Sequence, residues 1–170
     1  MRLAVVLCLV IVGCAPVEAA GPPGSRTVRA QSELGDDVSV SLTGKDDAYV
    51  MRVDGRDVGH WQKRGSEWIY ASNRPELVLH AGGEVAVAGC RTGMLVNKTR
   101  VVDRADGSVL YELSQHGELG GPLGEKYRLR LEPYDGDPQV GFLLILPLIH
   151  VIGRGDADIS GCDRDPAWPS

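Results

Sequence analysis

The stretch "QVGFLLILPLIHVIG", Gln139 to Gly153, decides how the rest of the chain is read. It is almost wholly apolar and does not alternate, so it has no solvent face. Thirteen or so apolar residues fall short of the roughly 20 that span a bilayer, and Pro147 interrupts them. Three readings fit: a strand buried on both faces, a short core helix kinked at Pro147, or an interfacial segment. Periodicity alone does not separate strand from helix. The run is Leu-rich and no turn signal divides it, which favours a buried helix over about 140–152. A helix apolar on every side belongs at the centre of a protein.

Upstream, the pattern changes to strands. "DVSVSLTG" from Asp37 sets Val38, Val40 and Leu42 on one face at period two. "AYVMRVDGRDVGHW" places Asp54-Gly55 between two such runs, a hairpin signal because both turn residues tolerate positive φ. Gly82-Gly83 in "ELVLHAGGEVAVAG" and Asp106-Gly107 in "TRVVDRADGSVLYEL" repeat the device. A last extended run, "KYRLRLEPY", reaches Asp135-Gly136. The turn glycines at 55, 83, 107 and 136 are 28, 24 and 29 residues apart. That spacing is too loose for a solenoid. The chain therefore reads as mainly β: an antiparallel barrel or sandwich built of hairpins, with one buried apolar helix near its C-terminal end.

These hairpins, "YVMRVDGRDVG" and "RVVDRADGSVLYEL", followed by "VGFLLILPLIHV", resemble the tubby-like barrel of the LURP-one-related and phospholipid-scramblase group. The resemblance spans roughly Ala48 to Ile152 and is one of pattern. It implies a β-barrel of successive hairpins wrapped around a hydrophobic helix. The family's membrane or phosphoinositide binding transfers poorly, because no basic cluster here marks a headgroup site. The residues after the apolar run, Cys162 among them, also depart from the family's pattern.

The N-terminus speaks to compartment. Met1-Arg2 precedes the apolar run Leu3 to Val12, which has the length of a secretory h-region. Ile11-Val12-Gly13-Cys14 resembles the bacterial lipobox, in which the cysteine is acylated and becomes the first residue. Val17-Glu18-Ala19 offers a conventional cleavage site instead, releasing a soluble periplasmic or secreted protein. "APVEAAGPPGSRTVRAQSELGDD", Ala15 to Asp37, is rich in Pro, Gly, Ala and charge, as suits a tether. The division read from sequence is a signal peptide at 1–13, a flexible tether at 14–36, and a single β-rich domain at 37–170. Ala15 is not acidic, and the lipobox resemblance then implies sorting to the outer membrane, with attachment through palmitate-type acylation of Cys14.

Loss of Arg2 with the signal leaves 17 basic against 23 acidic side chains. This acidic balance argues against nucleic acid or an anionic lipid surface as main partner. With Cys8 discarded and Cys14 acylated or discarded, Cys90 and Cys162 remain, and an even pair in an exported chain reads as one disulfide. Closing a loop of that size stabilises a fold by about 4 kcal/mol in the chain-entropy model.

The remaining motifs carry little chemistry. His60, His80, His116 and His150 form no HxH, HxxxH or CxxC spacing, so neither metal nor cofactor is signalled. His80 and His150 sit in apolar runs, as core histidines do. "GELGGPLGE" from Gly117 lacks the Lys-Ser/Thr of a P-loop and reads as a loop joining strands. Asp156, Asp158, Ser160 and Gly161 resemble the start of a Ca²⁺ loop, but Ala167 occupies the closing position. Asn97-Lys98-Thr99 has the spacing of a glycosylation sequon. Trp61, Lys63, Arg64, Trp68 and Tyr70 cluster in "HWQKRGSEWIY". Alternation puts Trp68 and Tyr70 on one face, and core packing competes there with a binding patch. The expected function is a non-enzymatic envelope lipoprotein that binds an envelope protein or a hydrophobic ligand. The alternative is a secreted enzyme using His116 or Cys90.

Overall fold

The structure is a computed structural model and describes residues 23–32 and 39–152, with side chains through 149. Twelve strands form one antiparallel sheet: β1 Arg26–Ser32, β2 Val40–Lys45, β3 Ala48–Val53, β4 Arg56–Arg64, β5 Glu67–Ser72, β6 Leu77–Leu79, β7 Glu84–Val87, β8 Cys90–Asn97, β9 Arg100–Asp103, β10 Val109–Leu113, β11 Leu119–Gly120 and β12 Leu129–Glu132. From β1 to β11 every strand pairs with its sequence neighbour, and β12 returns to pair with β1. Helix α1, Pro122–Tyr127, joins β11 to β12. The two sheet edges meet at a Glu118–Arg130 bridge and at the Leu131 N–H, which donates to the Gly117 carbonyl at 2.8 Å. The chain is mainly β, a nearly closed antiparallel barrel.

Helix α2, Pro138–Ile152, is the apolar stretch of the opening. Phe142, Leu143, Leu144, Ile145 and Leu146 are each at most 1 % exposed. Five consecutive residues of a helix point in every direction around its axis, so α2 is enclosed on all sides: it fills the barrel. Around it stand the inward residues of the strands, among them Val28, Leu42, Met51, Trp61, Leu77, Val85, Val101, Leu113 and Leu131. Each fully buried side chain of this kind contributes about 1.5–3 kcal/mol. Gly141 is where the helix meets β10 and β12, because an added Cβ would lie 2.4 Å from Leu113 and 3.2 Å from Leu131.

The helix enters at one rim, held there by β1. Arg26 donates to Asp137 Oδ2 at 3.1 Å and also to Asp135. Asp137 Oδ1 in turn accepts the Gln139 N–H at 3.0 Å, serving as an N-terminal cap. Strand alternation places the β2–β3, β4–β5, β6–β7, β8–β9 and β10–β11 turns at this near rim. The β3–β4, β5–β6, β7–β8 and β9–β10 turns lie at the far rim, toward which α2 runs.

Two expectations need correction. Strand β1 falls inside the span assigned to a flexible tether and pairs on both sides, with β2 and β12. The domain therefore starts by Arg26, not at 37. Only Val28 and Ala30 of this strand turn inward, and its hydrogen-bonding neighbours impose a conformation that its composition does not signal. The Gly-rich run from Gly117 likewise contains β11 and α1 rather than a bare loop, with Pro122 opening the helix.

Candidate functional site

The aromatic cluster of β4 and β5 is not a surface. Trp61, Trp68 and Tyr70 are 1, 5 and 4 % exposed and face the lumen, while Lys63 and Arg64 are exposed at the rim end of β4. The five residues therefore form no common binding patch; core packing takes the aromatic members. Trp61 and Tyr70 rings stand 5.2 Å apart and Tyr49 and Trp68 rings 5.8 Å apart, both tilted. Lys63 keeps one link to them, its Nζ 5.8 Å from the Trp68 ring and 3.7 Å from Asp47 Oδ1.

Trp61 reaches further inward. Its Nε1–H donates to the Leu143 carbonyl at 2.5 Å. In an uninterrupted helix that carbonyl accepts from the residue four positions on. Here that residue is Pro147, which has no N–H. The indole supplies the missing donor.

The concave site lies on the outer wall, where β3, β4 and β5 run side by side. Register shifts between Met51 and Arg52, a β-bulge that leaves Val58 between the paired Asp57 and Gly59. Bulges of this kind re-aim side chains, and Val58 is one of two large apolar side chains described as exposed, at 37 %. Beside it opens a groove of about 430 Å³ lined by Val50, Asp57, Val58, Gly59, His60, Ala71 and Ser72. Gly59 is required there, because a Cβ would lie 2.3 Å from the hydroxyl of Tyr70 on the lumen side. That hydroxyl approaches the Met51 sulfur at 3.5 Å, and burial raises its pKa above the ordinary tyrosine value.

The groove brings together an acid, a histidine and a serine, yet not as a relay. Asp57 Oδ1 is 2.7 Å from Arg52 Nε, and Ser72 Oγ accepts the Arg74 N–H at 3.1 Å. Each is engaged away from His60. The arrangement offers an apolar floor with a polar rim, which is chemistry for binding. Reading the sequence misses this site, since nothing in "VDGRDVGHW" marks the extra residue of a bulge.

The other candidates are dispersed. His116 is exposed in the β10–β11 turn at the near rim, its Nε2 3.3 Å from the Gln115 amide. Cys90 opens β8 at the far rim and is buried. The barrel separates them. His80 is 2.7 Å from Glu67 Oε1. Among the described residues, no group of three or more His, Cys, Asp or Glu is placed to hold a metal, and no helix is long and apolar enough to cross a membrane. Cys14, Cys162 and the acidic run from Asp156 lie outside the described residues. Comparison with family models, with curated proteins and with solved structures finds no match to this chain.

Proposed function

We propose that this chain is an exported envelope lipoprotein, acylated at Cys14, whose barrel binds an envelope protein through its outer wall. The observation that carries the binding role is the Val58 groove. The lumen is occupied by α2, so a ligand meets the outside of the barrel. An apolar groove with His60 and Asp57 at its edge suits the apolar side chain of a partner protein. A free hydrophobic ligand is the second reading, favoured by the same apolar floor.

The anchor and the groove are compatible in direction. Strand β1 begins at the near rim, twelve residues after Cys14, a reach of roughly 40–43 Å when extended. A tether of that reach leaves the groove, set toward the far-rim turns, open to a partner. A barrel of consecutive hairpins around an apolar helix also supports the kinship with tubby-like barrels as a reading of descent.

The test joins both halves. Palmitate labelling and membrane fractionation are compared for the native chain and Cys14→Ser, and recovery of a membrane partner is compared for native and Val58→Asp. Loss of label in the first and of the partner in the second supports the reading. Unchanged label sinks the anchor, and unchanged recovery sinks the groove.

A further inference from the structure

The geometry points to β1 as a load-bearing strand, through which tension passes between the anchor and a partner held toward the far rim. The inference rests on the proposed anchor and groove for the source of the load, and on described residues alone for the way it is borne. Strand β1 is the first strand of the barrel and starts at the near rim, so a pull on the preceding chain enters at Arg26. A partner in the Val58 groove holds β3, β4 and β5 near their far-rim turns. The two points of attachment therefore lie toward opposite rims. Barrel strands tilt by about 35–45° from the barrel axis, so most of the tension runs along β1 rather than across it.

That direction decides how the strand responds. Antiparallel ladder hydrogen bonds lie perpendicular to the strands. A pull along the strand loads all of them together, and the strand moves only when the set breaks at once. A pull across one end breaks them one after another. Strand β1 is paired on both sides, through five residue pairs with β2 and four with β12. The pairs with β2 run from Arg26 to Ala30 and those with β12 from Arg29 to Ser32, so the two ladders together cover every residue of the strand. Side chains tie both ends as well. Arg26 is bonded to Asp135 and Asp137 beside the start of α2, and Ser32 Oγ donates to the Tyr127 carbonyl at 2.7 Å. Slippage by one residue would turn Val28 and Ala30 out of the core, so the nearest alternative register is closed. Strand β1 buries few apolar side chains for a strand that closes a barrel. Its hold lies in the ladders, which resist best along the strand.

Single-molecule pulling on the whole exported chain tests this. DNA handles are attached through p-azidophenylalanine, which leaves the cysteines untouched. One handle replaces Pro23 in every case. The second replaces Asn73 at the far rim or Ser66 at the near rim, all three positions being exposed. The Pro23 and Asn73 pair loads β1 along its length, and the Pro23 and Ser66 pair loads it across its end. The expected result is a rupture force roughly two- to threefold higher in the first geometry at equal loading rate, with the barrel lost in a single step. Equal forces in the two geometries overturn the inference. So does an early low-force step in the first geometry that frees β1 while the other strands stay folded. Arg29→Pro is the second arm. It removes one ladder N–H from the middle of β1 without altering the inward side chains, and it lowers the first force toward the second. An unchanged first force in this variant also overturns the inference. Each of these failures leaves palmitate labelling and Val58→Asp recovery as they were, so the anchor and the groove stand or fall separately.

Discussion

Trp61 and Leu143 are joined by a hydrogen bond 82 residues apart in sequence, and the bond exists because Pro147 withholds the ordinary donor. The proline breaks the helical ladder inside an apolar lumen, where an unpartnered carbonyl is costly. The barrel wall repairs it. One relationship thus fixes the depth and rotation of α2 against β4. Trp61→Phe is expected to cost roughly 1–3 kcal/mol for the orphaned carbonyl, beyond the cavity left by the smaller ring. Adding Pro147→Ala restores an N–H at position 147 and recovers the first part only. Urea unfolding of the four proteins in the double-mutant cycle reads the coupling; additive effects would show that the bond contributes nothing.

Gly59 and Tyr70 form the second dependency across the wall. A Cβ at 59 lies 2.3 Å from the Tyr70 hydroxyl and 2.4 Å from its Cζ. Gly59→Ala is therefore expected to destabilise by about 1–3 kcal/mol through overpacking. Tyr70→Leu in that background clears the ring and moves the midpoint back toward the single Tyr70→Leu value. A Gly59→Ala variant with native stability would mean that the wall yields there.

The near-rim clamp has unequal members. Asp137 both pairs with Arg26 and caps α2, whereas Asp135, 60 % exposed, pairs with Arg26 and accepts the Asp137 N–H at 3.2 Å. Asp137→Ala is expected to cost about 1 kcal/mol, and Asp135→Ala less, since exposed pairs contribute little. Asp137→Asn keeps the cap and falls between them. Raising the salt concentration narrows the gap between native and Asp135→Ala. Chemical denaturation at two ionic strengths decides it.

Tyrosine titration reports on packing. Burial raises the pKa values of Tyr49, Tyr70, Tyr111 and Tyr134 above the ordinary value. In each case the folded state holds its proton to higher pH than the unfolded chain. The stability associated with these groups is complete below about pH 10, the unfolded value, and falls as pH rises from there through the folded values. Tyrosinate absorbance of these residues should rise together with loss of the circular dichroism of the fold. Full ionisation near pH 10 with the fold intact would show that the four rings are solvated.

The class of this fold is legible in the sequence, and its closure is not. Asp54-Gly55 marks a turn whose two residues both have positive φ, 50° and 73°, as the dipeptide implies. "GFLLILPLIH" announces a segment with no solvent face, and residues 140–149 of α2 are all buried. Strand β1 is hidden because only two of its side chains are buried apolar ones, and its conformation comes from β2 and β12 on either side. Alternation pairs Trp68 with Tyr70 on one face but does not say which face looks inward. The groove depends on a single bulged residue, Val58, and on a register that emerges only once β3 and β4 are paired. Pro147 is visible as a helix breaker. That Trp61 compensates it is a fact of the assembled barrel.

The central claim is that α2 is the core of the barrel, and amide hydrogen exchange of residues 142–146 tests it most directly. An enclosed helix exchanges only when the whole barrel opens. The predicted result is protection of these amides with a free energy equal to that of global unfolding measured by urea, matching strands β2 to β5. Exchange of residues 142–146 well ahead of those strands would contradict the account, because it would mean that the helix leaves the lumen while the barrel stays closed.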